Sequence, residues 1–206
     1  MSSNFIPLSA KELVNKINKI PRVSLGLLPT VLEFAPNISK ELNINLYIKR
    51  DDCTALAFGG NKTRHLEFIM AKTLIGDYDC ILTGASSQSN FCRQAVAAAN
   101  KLNLDSYLIL MHGIKGKTMQ GNFLLYNILG ANVEVVEGED LEEIPMHLDK
   151  KYRELIKIGR KPLVIYGGFG KEDTVLAAIS YANAMAEIDL QMKDQNFIAD
   201  HLFVTA

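Results

Sequence analysis

The segment CILTGASSQSNFCRQAVAAANKLNLDSYLILM, residues 80–111, decides the fold class. Cys80 to Thr83 is typical of a buried strand, and after a loop of small polar residues the Ala-rich stretch Asn90 to Leu102 has strong helix propensity. A second strand-like run, Ser106 to Met111, follows that helix. This order predicts a βαβ unit of a parallel sheet.

The same alternation continues along the chain after Pro36. Further strands are expected at Leu46 to Lys49, Asn132 to Val136, Pro162 to Tyr166 and His201 to Thr205. Further helices are expected at Asn61 to Leu74, Gly121 to Leu129, Leu141 to Ile158 and Thr174 to Asp189. The first of these helices is expected to have one apolar face, formed by Leu66, Ile69, Met70 and Leu74. The fold class is therefore α/β with a parallel-type sheet.

The composition indicates a small-molecule partner. With 206 residues, of which 48% are hydrophobic, the chain can bury a substantial core. A formal net charge of -1 argues against nucleic acid and anionic membranes as partners, because both usually require clustered Lys and Arg. The start lacks a basic region followed by an apolar one, and no apolar run is long enough to span a bilayer, which predicts a cytoplasmic protein.

Neither a metal site nor a disulfide framework is indicated. The chain has four dispersed histidines without metal-ligand spacing: His65, His112, His147 and His201. The three cysteines form no CxxC or Cys/His pattern and are expected to be reduced thiols.

One candidate site joins a strand end to the first turn of a helix. It reads Lys49-Arg50-Asp51-Asp52 and then Phe58-Gly59-Gly60-Asn61-Lys62-Thr63-Arg64; we call residues 58–64 the lysine loop. The glycines permit close backbone approach, and a buried lysine at a helix N-terminus has a lowered pKa. A lowered pKa favours the neutral form of the amine, which is the form that attacks carbonyl groups. The alternative for Lys62 is a solvated lysine at a helix start.

A second candidate site is Thr83-Gly84-Ala85-Ser86-Ser87-Gln88-Ser89-Asn90, which we call the polar loop. Free backbone N–H groups and hydroxyls gathered at a helix N-terminus form a site for a carboxylate or a phosphate. The alternative is ordinary helix capping by Ser89 or Asn90. The presence of the lysine loop in the same chain favours the functional interpretation.

Two glycine-containing segments fall short of nucleotide-binding motifs. Residues 112–118 follow a strand and precede a helix, but Met111 stands where a P-loop requires glycine. Gly167-Gly168-Phe169-Gly170 has Asp173 at the third glycine position of the dinucleotide fingerprint, so we expect a tight strand-to-helix turn there.

The order of motifs resembles the D-cysteine desulfhydrase and 1-aminocyclopropane-1-carboxylate deaminase family of pyridoxal phosphate (PLP) enzymes. The motifs that carry the resemblance are Leu28-Pro29-Thr30, Ile48 to Asp52, Gly59 to Arg64, Gln88-Ser89-Asn90, Arg93-Gln94 and Gly167-Gly168. It implies the two-domain fold of the tryptophan synthase β subunit, with PLP in the cleft between the domains. Residues 1–64 and 165–206 would belong to the larger domain, and residues 65–164 would form the smaller one.

The resemblance also implies roles for individual residues. Lys62 would bind PLP covalently and then move the substrate's Cα proton. Asn90 would contact the cofactor ring oxygen, Ser89 would be catalytic, and Gln88, Ser89 and Asn90 would hold the substrate carboxylate. The implied reaction converts D-cysteine to pyruvate, ammonia and hydrogen sulfide; the alternative within the family opens the ring of 1-aminocyclopropane-1-carboxylate. The implied assembly is a homodimer.

Three departures from the family pattern are visible. His65 stands where relatives usually carry a second lysine, which weakens the expected contact with the cofactor phosphate. Phe91 and Cys92 follow Ser89-Asn90, where relatives commonly place a polar residue first, so Phe91 is expected to change which substrate side chain is accepted. The family's glycine-rich phosphate loop would begin after Ala206, so the C-terminal part of the fold is expected to be missing. The alternative of another class is a non-catalytic remnant or binding module.

Overall fold

The computed structural model describes residues 8–111, 118–138 and 140–204 of the chain. Its strands β1 to β6 are Leu32–Phe34, Tyr47–Lys49, Cys80–Ser86, Asp105–Met111, Asn132–Val136 and Pro162–Ile165. Its helices α1 to α7 are Ala10–Ile17, Pro36–Leu42, Lys62–Ile69, Asn90–Lys101, Gly121–Ile128, Ile144–Lys157 and Lys171–Asp194. Short 3₁₀ turns connect several of these elements.

Strands β3 to β6 form a parallel sheet in the order β5-β4-β3-β6. Cys80 at the start of β3 is in register with Asp105 of β4 and Pro162 of β6. The predicted α/β class is confirmed. Because the carboxyl ends of parallel strands meet at one edge of a sheet, the segments that follow β3 and β6 come together there.

Helices cover both faces of this sheet. Successive side chains of a strand point to opposite faces, so Leu82 and Ile109 pack with Ile144 of α6 on one side. On the other side Ile81 packs against α3 and α4, and Leu108 packs against α4 and α5. The four strand side chains are at most 1% exposed. Complete burial of these strands explains their continuous apolar runs.

The run Leu46 to Lys49 contains a strand, but the strand is not part of the parallel sheet. β2 pairs antiparallel with β1, with Leu32 opposite Lys49, in a separate two-stranded sheet. The prediction that this run opens the parallel series was therefore wrong. β1 precedes it closely along the chain, and consecutive strands tend to pair.

Two further predictions needed correction. Helix α3 ends at Ile69 and continues as a 3₁₀ turn, whose tighter winding takes Leu74 off the apolar face and leaves it 61% exposed. The strand expected from His201 to Thr205 is not formed by residues 201–204, which pair with none of the described strands and are exposed. Residue 205 lies outside the described residues.

Helix α1 was not predicted, although the sequence signals it. Ser9 and Glu12 form a capping box, in which the Ser9 side chain accepts from the Glu12 N–H and Glu12 accepts from the Ser9 N–H. α1 and α3 both pack against the long helix α7. In the described ranges no helix is long and apolar enough to cross a membrane.

Candidate active site

Lys62 is the first residue of α3 and lies near the carboxyl edge of the parallel sheet. Its side chain is half-buried, and burial lowers the pKa of its amine because the charged form loses hydration. No described residue forms a hydrogen bond or an ion pair with Lys62 Nζ. Lys62 lies at a helix start, as the alternative interpretation also has it, but its side chain is only partly solvated.

The glycine pair before Lys62 has a backbone that favours glycine. The φ angle is +75° at Gly59 and +126° at Gly60. A Cβ at Gly59 would lie 1.8 Å from the Asp52 carbonyl oxygen, and a Cβ at Gly60 would lie 2.5 Å from Gln94 Nε2. Both the conformation and the close contacts thus require glycine.

Helix α4 holds the lysine loop on one side. The fully buried Gln94 donates from Nε2 to the Gly59 carbonyl oxygen at 3.1 Å and accepts from Thr63 Oγ1 at 2.7 Å. Thr54 Oγ1 accepts from the Gly60 N–H at 2.9 Å. These bonds fix the backbone before Lys62 and leave its amine free.

A buried ion network holds the other side of α3. Arg64 is 2% exposed and makes two hydrogen bonds to Asp51, at 2.8 and 2.9 Å, and two to Glu187 of α7, both at 2.9 Å. Lys49 Nζ also reaches Glu187 at 3.1 Å, and Thr30 Oγ1 donates to Asp51 at 2.7 Å. Much of the Lys49 to Asp52 motif therefore ties α3 to α7 and to the small sheet, a role that its local pattern did not indicate.

His65 lies three residues after Lys62 and is 9% exposed. Burial, assisted by the charge of Lys62, lowers the pKa of His65 to about 4, so the imidazole is neutral at pH 7. Its ring packs edge-on against Tyr181 with centroids 5.1 Å apart. No described residue is hydrogen-bonded to His65 Nε2. At neutral pH the position supplies no second positive charge beside Lys62.

Lys62 and His65 line a cavity of about 280 Å³. The other walls are the end of β3, the turn after β6, the start of α7 and aromatic rings: Ile69, Gly84, Ala85, Phe91, Tyr166, Gly167, Gly168, Phe169, Asp173, Thr174 and Ala177. Asp173 accepts a hydrogen bond from the Gly167 N–H at 3.0 Å and so fixes the turn. The volume and the mostly apolar lining suit a small, flat ligand.

The polar loop ends at the N-terminus of α4. Ser89 Oγ accepts from the Cys92 N–H at 3.2 Å, so the capping alternative is correct for Ser89. The backbone N–H groups of Gln88, Asn90 and Phe91 donate to no described residue. The loop therefore caps a helix and also keeps the free donors of an anion site.

The side chains of Gln88 and Asn90 contact helix α5. Gln88 Oε1 accepts from the Asn122 N–H at 2.9 Å, and Gln88 Nε2 donates to the Gln120 carbonyl oxygen at 3.2 Å. Asn90 Oδ1 accepts from Asn122 Nδ2 at 3.0 Å. Because its side-chain amide is engaged at both ends, the free group that Gln88 offers a ligand is its backbone N–H.

The structure brings only part of the predicted set into one cavity. Lys62 and Phe91 line it, whereas Gln88, Ser89 and Asn90 do not. Sequence reasoning missed Tyr166, Phe169 and Asp173. A signal for them existed, because they flank the Gly167-Gly168 turn at the carboxyl end of a parallel strand, where ligands bind in α/β sheets.

The two glycine-containing segments that fell short of nucleotide-binding motifs have different outcomes. The Gly167-Gly168 segment is a tight turn between β6 and α7, as expected. Residues 112–117 of the segment that failed the P-loop pattern lie outside the described residues. Over the ranges that the structure describes, no group of His, Cys, Asp and Glu could hold a metal ion.

Comparison of the chain with known proteins identifies the family to which it belongs. The family described as "Pyridoxal-phosphate dependent enzyme" matches residues 23–206. The chain belongs to this PLP-dependent enzyme family. This family, together with the relatives described below, confirms the resemblance predicted from the motifs and the tryptophan synthase β-like fold class.

Relatives of this family member are named for two related activities. A Pyrococcus horikoshii protein provisionally named 1-aminocyclopropane-1-carboxylate deaminase is 37% identical over 84% of the chain and 51% of the relative. A Klebsiella pneumoniae D-cysteine desulfhydrase is 34% identical over 88% of the chain and 55% of the relative. The crystal structure of an ACC deaminase homologue superposes with a TM-score of 0.78 and 35% identity, over 87% of this chain and 53% of that one. The chain spans about half the length of these relatives.

The residues around Lys62 fit the cofactor of the family. PLP is an aromatic aldehyde, which requires a neutral amine to react with and a flat space for its ring. Lys62 offers an amine of lowered pKa without a partner in the described structure, on the wall of a cavity lined by aromatic rings. Gly168, where a Cβ would meet nothing within 4 Å, leaves open space at the turn.

Proposed function

We propose that the protein is a PLP-dependent lyase that breaks a small amino acid down to a 2-oxo acid and ammonia, with D-cysteine as the substrate. The observation that carries the proposal is the half-buried Lys62 amine, whose pKa is lowered and which faces a cavity without a partner in the described structure. The names of the relatives support the reaction class.

In this proposal Lys62 and the polar loop have different roles. Bound PLP supplies a conjugated ring that accepts the electron pair left at the substrate Cα. Lys62 Nζ would hold the cofactor, and its amine would take the proton from the substrate Cα. The free N–H groups at the start of α4 and the side chain of Ser89 hold the substrate carboxylate, with Ser89 near the reacting atoms. The Asn90 amide would hold the cofactor at its ring oxygen. With D-cysteine, loss of the Cα proton and of the Cβ thiolate, followed by hydrolysis with one water, would give pyruvate, ammonia and hydrogen sulfide.

The division into domains is part of the same proposal. Residues 1–64 and 165–206 belong to the larger domain, and residues 65–164 form the smaller one. The cavity supports this division, because its lining includes Lys62 and the Gly167-Gly168 turn from the larger domain and Ala85 and Phe91 from the smaller one. The homodimer stays a prediction.

Two alternatives follow from particular residues. Phe91, on the cavity wall, changes the space open to the substrate side chain and leaves 1-aminocyclopropane-1-carboxylate as the alternative substrate. His65 is neutral where relatives usually carry lysine. This difference favours a non-catalytic protein that binds the cofactor phosphate weakly. The two alternatives give different results in the experiment below.

The deciding experiment is reductive trapping of PLP on the purified protein, followed by peptide mapping. We expect a stoichiometric adduct on Lys62 and none in Lys62→Ala. Lys171→Ala is the matched control, because Lys171 is also the first residue of a helix but is exposed. If burial, and not the helix dipole alone, activates Lys62, then the exposed Lys171 carries no adduct. Lys171→Ala should therefore leave the total amount of adduct unchanged.

Assays then separate the candidate activities. Release of sulfide from D-cysteine identifies the desulfhydrase. Release of ammonia from 1-aminocyclopropane-1-carboxylate, with no sulfide released from D-cysteine, identifies the deaminase. An adduct scattered over exposed lysines, with neither activity, would overturn the proposal in favour of the non-catalytic alternative.

A further inference from the structure

Asn122, the second residue of α5, contacts the polar loop at three points. Its backbone N–H donates to Gln88 Oε1 at 2.9 Å, and its side-chain Nδ2 donates to the Gln88 carbonyl oxygen at 2.7 Å and to Asn90 Oδ1 at 3.0 Å. The preceding Gly121 has a φ of +54°, and a Cβ there would lie 2.5 Å from Gln88 Oε1. Residues 121–122 therefore hold the polar loop through both backbone and side-chain contacts.

The same side chain also connects to the lysine loop. Asn122 Oδ1 accepts from Arg93 Nη1 at 3.2 Å, and Arg93 Nη2 donates to the Gly59 carbonyl oxygen at 2.8 Å. No carboxylate among the described residues pairs with Arg93, and its buried Nε has no partner there. The guanidinium is therefore held by neutral oxygens from the two loops.

The amide orientation of Asn122 is dictated by these neighbours. Two acceptors, the Gln88 carbonyl oxygen and Asn90 Oδ1, face its donor end, and the guanidinium of Arg93 faces its acceptor end. An aspartate has nearly the same shape but no N–H, so it keeps the Arg93 contact and turns an oxygen toward the two acceptors. This asymmetry makes Asn122→Asp a selective way to release the polar loop.

We propose that Asn122 is a positioning residue, which holds the Gln88 to Asn90 part of the polar loop in its ligand-binding shape and fixes it relative to the lysine loop. The inference rests on the proposed function, in which this loop holds the substrate carboxylate. A loop that is ordered before the substrate arrives loses less conformational entropy on binding. Asn122 acts through the loop and touches neither substrate nor cofactor.

The test compares Asn122→Asp with Asn127→Asp in the purified protein. Asn127 lies on the same helix, and its amide donates to the Phe123 carbonyl oxygen and Met119 Sδ without contacting the polar loop. Hydrogen exchange of the peptide covering residues 86–92 should become faster in Asn122→Asp only. With D-cysteine, Asn122→Asp should raise KM about tenfold or more and change kcat much less. The PLP adduct on Lys62 should be retained.

The possible results separate this inference from the proposed function. Unchanged exchange of residues 86–92 in Asn122→Asp would overturn the inference, as would an unchanged KM in an active enzyme. Absence of the Lys62 adduct in the wild-type protein would overturn the proposed function, while the exchange measurement would still decide the role of Asn122. If Asn122→Asp does not unfold cooperatively, Asn122→Ala replaces it, since it removes the same two donated bonds without adding a charge.

Discussion

The lysine loop and the polar loop both lead into a helix at the same edge of the sheet, but different forces hold them. Residues around Lys62 are fixed by buried ions at Arg64 and by glycines pressed against neighbouring atoms. The polar loop is held by uncharged hydrogen bonds from Asn122 and Tyr126. Breaking a buried ion pair costs several times more than breaking a neutral hydrogen bond. We therefore expect a rigid lysine loop and a more adaptable polar loop.

The largest effect should come from Arg64→Met. The substitution leaves the Asp51 and Glu187 carboxylates without their buried partner, so the free energy of unfolding should fall by about 3–5 kcal/mol. Arg50→Met is the control, because Arg50 pairs with Glu33 and Asp52 at the surface and should change stability little. Urea denaturation of both variants measures the difference. Equal losses of the free energy of unfolding in the two variants would show that the buried ion network does not hold the lysine loop more firmly than a surface ion pair would.

A smaller loss is expected for Gly59→Ala. The new Cβ would meet the Asp52 carbonyl oxygen in a backbone conformation that is nearly restricted to glycine, which should cost more than about 2 kcal/mol. Gly130→Ala is the matched control: its φ is +79°, but nothing lies within 4 Å of the added Cβ. It should cost about 1–2 kcal/mol from conformation alone. Thermal unfolding distinguishes the two, and similar values would remove the steric argument.

The stability of the lysine region should also depend on pH through His65. Its pKa is about 4 in the folded protein against the ordinary value of 6.5, so the unfolded chain binds more protons between these values. The contribution is complete above pH 6.5 and is lost as the pH falls toward 4, by about 3 kcal/mol. Urea titrations should show this loss in the wild-type protein relative to His65→Gln, which cannot titrate. Parallel pH profiles of the two proteins would contradict it.

The smallest effect should come from the polar loop. Tyr126 is fully buried, and its hydroxyl donates to the Ser89 carbonyl oxygen at 2.8 Å. Tyr126→Phe should therefore cost about 1 kcal/mol. Tyr152→Phe, at a 39% exposed position, should leave stability nearly unchanged. A loss at Tyr126 as large as that at Arg64 would mean that the polar loop is as rigid as the lysine loop.

The sequence by itself determined the elements of the parallel sheet. β5 occupies Asn132–Val136, as predicted, and α4 ends within one residue of its expected end. Period, propensity and helix-end chemistry are local properties, so they can be recognised without knowing the path of the chain. The amine of Lys62 at a helix start and the free N–H groups before α4 belong to the same class of local signals.

The tertiary structure alone decided which residues support these signals. It paired β2 with β1 outside the parallel sheet, brought Glu187 to Arg64 across 123 positions of sequence, and set Asn122 against the polar loop. It also placed Tyr166 and Phe169 on the cavity wall with Lys62. Contacts of this kind depend on which distant segments become neighbours when the core forms. Residue type and local spacing do not specify those neighbours.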